Sequence, residues 1–257
     1  MKAMKLLTIV TTLVLVMATA ARADWDDTMP FKMHYPQHPD PNGWDIDMTN
    51  FVLADDWRCT QTGAVKDIHF WYSVQGDSSA APILLPHFSS VSVSIHDDVP
   101  EDGTGGFSIP GNLRWDRVFV DTEVVFKGPF SGTQGWDLPI PNPEGEVLCE
   151  PEDHIWYWQV NITNIADPFI QQVDTIYWLD LQVQNLADGL QIGWKTSQDH
   201  FQDYAVYQDT AGGEWSQIAV CTDDHLTDLA FVITPEPATI ALLGFGAVGL
   251  LARRRRK

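Results

Sequence analysis

Between Ser90 and Ile95 the chain sets Val91, Val93 and Ile95 against serines, and between Asp67 and Val74 it sets Ile68, Phe70, Tyr72 and Val74 against Asp67, His69, Trp71 and Ser73. A period of two puts every second side chain on one face of an extended strand, so each segment can bury one side independently of the other. Leu113–Val120, Glu123–Phe126, Ile155–Ile162, Thr175–Gln184, Leu190–Trp194, Tyr204–Tyr207, Trp215–Val220 and Leu229–Ile233 continue the series. Turn residues punctuate it at Asp102-Gly103, Gly105-Gly106, Gly128-Pro129, Asp188-Gly189 and Gly212-Gly213. No stretch between residues 24 and 234 sustains a helical period. About ten strands in this length predict an all-β domain, a β-sandwich of jelly-roll-like type, with a barrel as the alternative.

The acids agree with that reading. Between residues 24 and 234 aspartates outnumber glutamates 27 to 7, and aspartate suits turns and loops where glutamate suits helices. Three of the fifteen basic residues fall before Asp24 and five after Thr234. The seven that remain face 34 acids, a net charge near −27. Such a surface repels phosphate backbones, which excludes nucleic acid as a partner and favours neutral or basic polymers.

Both ends carry addresses. Lys2 and Lys5 precede an apolar run from Leu6 to Ala20, and Ala21 and Ala23 are the small residues a signal peptidase inspects, so residues 1–23 are expected to be a signal peptide cleaved before Asp24. At the other end, Pro235, Glu236 and Pro237 lead into an uncharged segment, 238–252, that stops at Arg253, Arg254, Arg255, Arg256 and Lys257. A helix can start at Pro237, because a first-turn proline loses no hydrogen bond. Fifteen residues reach about 22 Å against a hydrocarbon core of about 30 Å. The cationic end compensates for the short span by holding the terminus on the cytoplasmic side of the inner membrane, which leaves everything before Pro235 outside. The expected organisation is signal peptide 1–23, irregular lead-in 24–50, β-sandwich 51–233 and sorting signal 234–257.

The C-terminal arrangement of Pro-Glu-Pro, short apolar helix and arginine cluster resembles the PEP-CTERM sorting signal of Gram-negative bacteria. That resemblance implies processing by an exosortase, transient anchoring in the inner membrane, and release to the periplasm, cell surface or extracellular matrix. It also implies an association with exopolysaccharide and biofilm. A second resemblance is carried by Leu53-Ala54-Asp55-Asp56-Trp57-Arg58-Cys59-Thr60, Asp67-Ile68-His69-Phe70-Trp71, Val93-Ser94-Ile95-His96-Asp97-Asp98-Val99-Pro100, Pro110-Gly111-Asn112-Leu113-Arg114-Trp115 and Thr175-Ile176-Tyr177-Trp178-Leu179-Asp180. Together these are similar to an uncharacterised secreted domain that often precedes such tails. That domain has no established activity, so it assigns no catalytic residues.

Candidate sites in the domain are few. Eleven tryptophans could form a sugar-stacking platform, but tryptophan is also a large core residue, and packing accounts for most of them. Asp97, Asp98, Glu101 and Asp102 crowd one inter-strand segment, and Asp40, Asn42, Asp45 and Asp47 another. Calcium takes six to eight oxygens, so the first group is the candidate metal site; no other cofactor is indicated. Cys59, Cys149 and Cys221 allow one disulfide in three ways. GxSxG, HExxH and phosphate-loop motifs are absent, and the histidines lack metal spacing. The expected function is a non-enzymatic, envelope- or matrix-associated module beside extracellular polysaccharide. The alternatives are a calcium-assisted carbohydrate-binding module and a secreted glycan-active enzyme. A fusion ending at Thr234 is expected to differ from the intact chain in destination or processed form, as read by cell fractionation and intact mass. Identical outcomes would remove the sorting role.

Overall fold

The computed structural model describes residue 25 and residues 34–102, 106–141, 147–186, 189–220 and 225–234; for 140, 141, 147–153 and 225 it describes the backbone alone. The chain divides into two units, Met1–Phe31 with Glu236–Lys257, and Lys32–Pro235. In the first, Trp25 is described and is buried. The expected signal peptide, sorting motif, membrane helix and basic tail lie outside the described residues. Among those described, no helix is long and apolar enough to cross a membrane.

The second unit is all β. In chain order its strands are β1 (Trp44–Asp47), β2 (Val52–Arg58), β3 (Gly63–Ala64), β4 (Asp67–Val74), β5 (Phe88–Val99), β6 (Ile109–Val120), β7 (Val124–Pro141) and β8 (Val147–Ile162). There follow β9 (Ile170–Gln171), β10 (Ile176–Asn185), β11 (Ile192–Lys195), β12 (Val206–Gln208), β13 (Ser216–Gln217), β14 (Ala219–Val220), β15 (His225–Leu226) and β16 (Phe231–Thr234). A 3-10 turn at Asp121–Glu123 is the helical element among the described residues.

Two six-stranded sheets dominate. The second sheet runs β13-β12-β2-β10-β5-β6. The first runs β11-β1-β7-β8-β4-β16, and β11 also pairs with β4, so β1, β7, β8, β4 and β11 form a closed circuit of hydrogen-bonded neighbours. Closure works because β4 has room along one edge for two partners. Its first half pairs with β16, from Asp67↔Thr234 to Phe70↔Phe231, and its second half with β11, from Tyr72↔Trp194 to Val74↔Ile192. The β1–β7 pair is parallel and the other pairs of the circuit are antiparallel.

One apolar core joins the two sheets. Ile46, Ile68, Phe70, Tyr72, Trp158, Trp194 and Phe231 from the first sheet share it with Leu53, Trp57, Val91, Val93, Ile95, Leu179 and Leu181 from the second. Aromatic edges interlock across it: Tyr72 meets Phe88 at 5.4 Å and Trp57 meets Phe231 at 6.1 Å between ring centroids. Such edge-to-face contacts add to what burial alone contributes. Of the eleven tryptophans, seven are buried and Trp44, Trp115, Trp156 and Trp215 are partly covered.

Of the boundaries that differ from the sequence reading, three shape the two sheets most. Residues 24–50, expected to be irregular, contain β1. Its Trp-Asp-Ile-Asp pattern offers a single aliphatic residue to the core, Ile46, while Asp45 and Asp47 are buried on the other face. Residues 52–58, quoted for their resemblance and not as a strand, form β2. The strand expected to end at Phe126 runs on to Pro141, because Gly128-Pro129 falls where the β7–β8 register shifts, between Lys127 and Phe130. A proline is tolerated at such a bulge, where no ladder hydrogen bond is asked of it.

The face of the circuit opposite the core is also filled. Gly193 packs there, and a Cβ on it would lie 2.6 Å from Trp136 Cζ3 and 2.9 Å from Asp45 Cβ. Gly193→Ala is expected to destabilise the fold by about 1–3 kcal/mol, the usual cost of overpacking, measured as a lower denaturation midpoint with unchanged m-value.

Candidate functional site

Alternation in β2 sends Leu53 and Trp57 into the shared core, and Asp55 has the same parity. An acid on core parity has to find polar partners, and Asp55 does. Its Oδ2 accepts from Gln37 Nε2 (2.7 Å) and Leu229 N (2.6 Å), and its Oδ1 from Asp56 N (2.8 Å). Burial, followed by the nearby charges of Asp228 and Asp56, raises its carboxyl well above the ordinary range.

Asp56 points the other way, onto the outer face of the second sheet. There it lies directly across from Trp178 of β10, which in turn lies across from His96 of β5. Trp178 packs with Ala54 and Val206, and the partly exposed rings of Phe107 and Trp215 cover that cluster. Asp56 is fully buried, and neither of its carboxylate oxygens has a hydrogen-bond partner. Burial, then repulsion from Asp203, Asp228 and Asp98, pushes its carboxyl up to about 9. At neutral pH Asp56 therefore keeps its proton.

Two of the acids around it are better partnered. Asp98 accepts from Trp178 Nε1 at 2.9 Å, and partial burial raises its carboxyl. Asp228 accepts from Phe201 N at 2.7 Å and lies 3.0 Å from His200 Nδ1, whose ring stacks on Tyr204. Burial lifts Asp228 to about 6 even though these partners oppose the shift. One row along the face, His96 Nε2 meets Asp180 Oδ2 at 2.8 Å. The arrangement is a neutral carboxylic acid set among other carboxyl groups beneath aromatic rings.

The residues named from sequence are scattered by comparison. Asp97 has the opposite parity to Asp98: it accepts from Asn112 Nδ2 (3.2 Å), Asn112 N and Arg114, and these bonds hold its carboxyl low against the effect of partial burial. Glu101 and Asp102 are exposed beyond the end of β5. In the other acidic group, Asp40 caps its own turn through Asn42 N (2.9 Å), Asp47 accepts from Thr49 N and Asn50 Nδ2, and Asp45 is buried against Lys195. Among the described residues no three or more His, Cys, Asp or Glu side chains are grouped to hold a metal ion. Cys59 is a buried free thiol that donates to Gln61 O (3.1 Å). The Cys149 side chain and Cys221 lie outside the described parts of the chain.

Sequence reading did not select Asp55, Asp56, Asp203 or Asp228. A usable signal was present in Leu-Ala-Asp-Asp-Trp: two adjacent acids inside an alternating strand force one carboxyl onto the core side.

Asp56 titrates at 3.8 when unfolded and at about 9 when folded. Between those values the native state holds the extra proton. Its contribution to stability is therefore complete below the unfolded value and is lost as pH rises toward 9. Asp56→Asn is expected to flatten the pH dependence of the unfolding free energy. At about pH 8 the variant should exceed the wild type by on the order of 1–3 kcal/mol, the range for relieving a poorly satisfied buried polar group, and the two should converge near pH 4. Denaturant titrations across that interval read it directly.

Two comparisons bear on identity. Residues 33–234 match a domain of unknown function (DUF7901), and residues 234–257 match the PEP-CTERM protein-sorting motif. No curated protein matches the chain. With the first match covering all sixteen strands, the chain belongs to the DUF7901 family, and it carries a PEP-CTERM sorting motif at its C-terminus, the mark of an exported protein handled by an exosortase.

Proposed function

We propose that the domain is a non-enzymatic module that holds extracellular polysaccharide on the outer face of its second sheet. The observation that carries this reading is the pair of partly exposed rings, Phe107 and Trp215, that cover Trp178 on this face, with Asp98 and Asp203 nearby and the protonated Asp56 buried beneath. Carboxyl oxygens accept hydrogen bonds from sugar hydroxyls, and aromatic faces stack on sugar rings. The net charge near −27 selects neutral or amine-bearing polysaccharides over polyuronates by simple repulsion. In this reading the two sheets and their shared core form a jelly-roll-like sandwich. The terminal segment anchors the chain briefly in the inner membrane before exosortase delivers it to the cell surface or matrix.

A glycan-active enzyme is the second reading, favoured by Asp56 alone: a glycosidase uses an acid that keeps its proton at neutral pH together with a second carboxyl group. Glycan-array binding by the exported protein separates the two. The module reading expects binding to neutral or amine-bearing glycans, weakened about tenfold or more (about 1.4 kcal/mol) by Trp215→Ala and insensitive to EDTA. Loss of binding in EDTA would point to calcium assistance. Release of reducing sugar, abolished by Asp56→Asn, would establish the enzyme. An array with no bound glycan would refute the polysaccharide reading.

A further inference from the structure

Asp45 and Lys195 stand directly opposite one another in the antiparallel register of β1 and β11. Both side chains have 0% exposure, and Lys195 Nζ lies 3.1 Å from Asp45 Oδ2. His154, equally buried, places Nε2 3.0 Å from the same oxygen. Gln134 Oε1 accepts from Nζ at 2.5 Å, and the Tyr157 ring lies 5.1 Å from it. Asp45 Oδ1, by contrast, has no hydrogen-bond partner. An amine, a carboxyl group and an imidazole thus meet at one oxygen in a site enclosed by five strands. Outside of water such a trio can react as well as attract.

We propose that Lys195 and Asp45 condense into an intramolecular isopeptide bond. Nζ attacks Cγ of Asp45, the Nζ–Cγ bond forms and the Cγ–Oδ2 bond breaks. Of the three ammonium protons, one stays on the amide nitrogen and two pass to Oδ2, which departs as water. Oδ1 remains as the amide oxygen. His154 contacts the departing oxygen and relays a proton to it, ending in its original state. Charge and atoms balance without an oxidant, reductant or activating group.

Three physical features favour the step. The partners are held in contact, and effective concentrations in such intramolecular reactions reach about 10⁵–10⁸ M. The buried ion pair carries a desolvation cost that the neutral amide removes along with both charges. Burial also lowers the proton affinity of the Lys195 amine, against the pull of Asp45. Burial acts to raise the Asp45 carboxyl, and Lys195 and His154 outweigh it and hold the group low. The ion pair is therefore the resting state, and one proton transfer along the 3.1 Å contact reaches the reactive amine and acid. The unpartnered Oδ1 fits the product better than the reactant, because an amide oxygen is cheaper to leave unpaired than a carboxylate. The bond would tie β1 to a strand 150 residues away.

Intact mass of the full chain as isolated from an exporting host, followed until it stops changing, tests the step. The expected mass is one water below that calculated from the termini the isolated chain retains after export, and digestion should yield a branched peptide joining the Asp45 and Lys195 segments. Lys195→Met and Asp45→Ala should each restore the full mass, and His154→Gln should slow the loss about tenfold or more. If a variant fails to fold, the wild-type mass and its peptides decide alone. An undiminished wild-type mass overturns the proposal. So does a water loss confined to a linear peptide, such as one holding Asp102-Gly103 or Asp188-Gly189, where an aspartate can cyclise on its own backbone.

Discussion

Three strands of the first sheet have no face to spare for solvent. All eight residues of β4 are buried, as are all four of β11 and of β16, so both faces must be satisfied by protein. One face solves this with the apolar core, where Phe70, Tyr72, Trp194 and Phe231 pack. The other closes on itself through the β11–β4 pairing and fills the enclosure with Asp45, Gln134, His154, Tyr157 and Lys195. A ring of strands has no free edge in need of protection along the closed pairs, and it fixes the direction in which every alternate side chain must point. The rest follows from that constraint. β1 is a strand because closure requires it, and β7 is long because it has to pair with both β8 and β1.

This explains which parts of the architecture could be read from residues. β4 was legible to its ends, Asp67 and Val74, because Ile68, Phe70, Tyr72 and Val74 have strict parity. Ser90–Ile95 was recognised as the middle of β5, which extends from Phe88 to Val99. β1 was not legible, because its apolar parity is a single isoleucine and its polar parity is buried by partners 150 residues distant. Period-two analysis assumes that polar means outward, and a second, polar interior breaks that assumption. β2 failed for a related reason: Asp55 occupies a core position between Leu53 and Trp57 and interrupts the apolar row. The acidic cluster on the outer face was hidden because its members come from β2, β5 and the segments before and after the 216–226 strands. Register, and not local spacing, assembles it.

The chain's composition sharpens the contrast between its two interiors. Between residues 24 and 234 there are seven cations for 34 acids, so most buried carboxyls cannot be given a positive partner. Arg58, Arg114 and Arg117 pair with Asp174, Asp97 and Glu123 where both side chains keep solvent contact, and surface pairs of that kind add little. The fully buried cation of the circuit, Lys195, is paired with Asp45. Asp55 is neutralised instead by its own raised proton affinity and by Gln37 and Leu229. The Asp56 carboxyl has a proton, and neither of its oxygens has a hydrogen-bond partner.

The two solutions differ in what they leave available. A carboxyl matched by a lysine and an imidazole has its charge and one oxygen committed, and its remaining options are local, between groups already in contact. A carboxyl matched only by a proton keeps both oxygens free and carries a cost at every pH above its unfolded value. A position with no other role would shed that cost through replacement by a neutral residue, since such a change is stabilising wherever the proton must otherwise be held. Asp56 lies beside Trp178, beneath the partly exposed rings of Phe107 and Trp215 and near Asp98 and Asp203, so the strained group underlies the aromatic face that meets solvent. On physical grounds the outer face of the second sheet is thus the place to look for a ligand, and the enclosure of the first sheet is the place to look for chemistry internal to the fold.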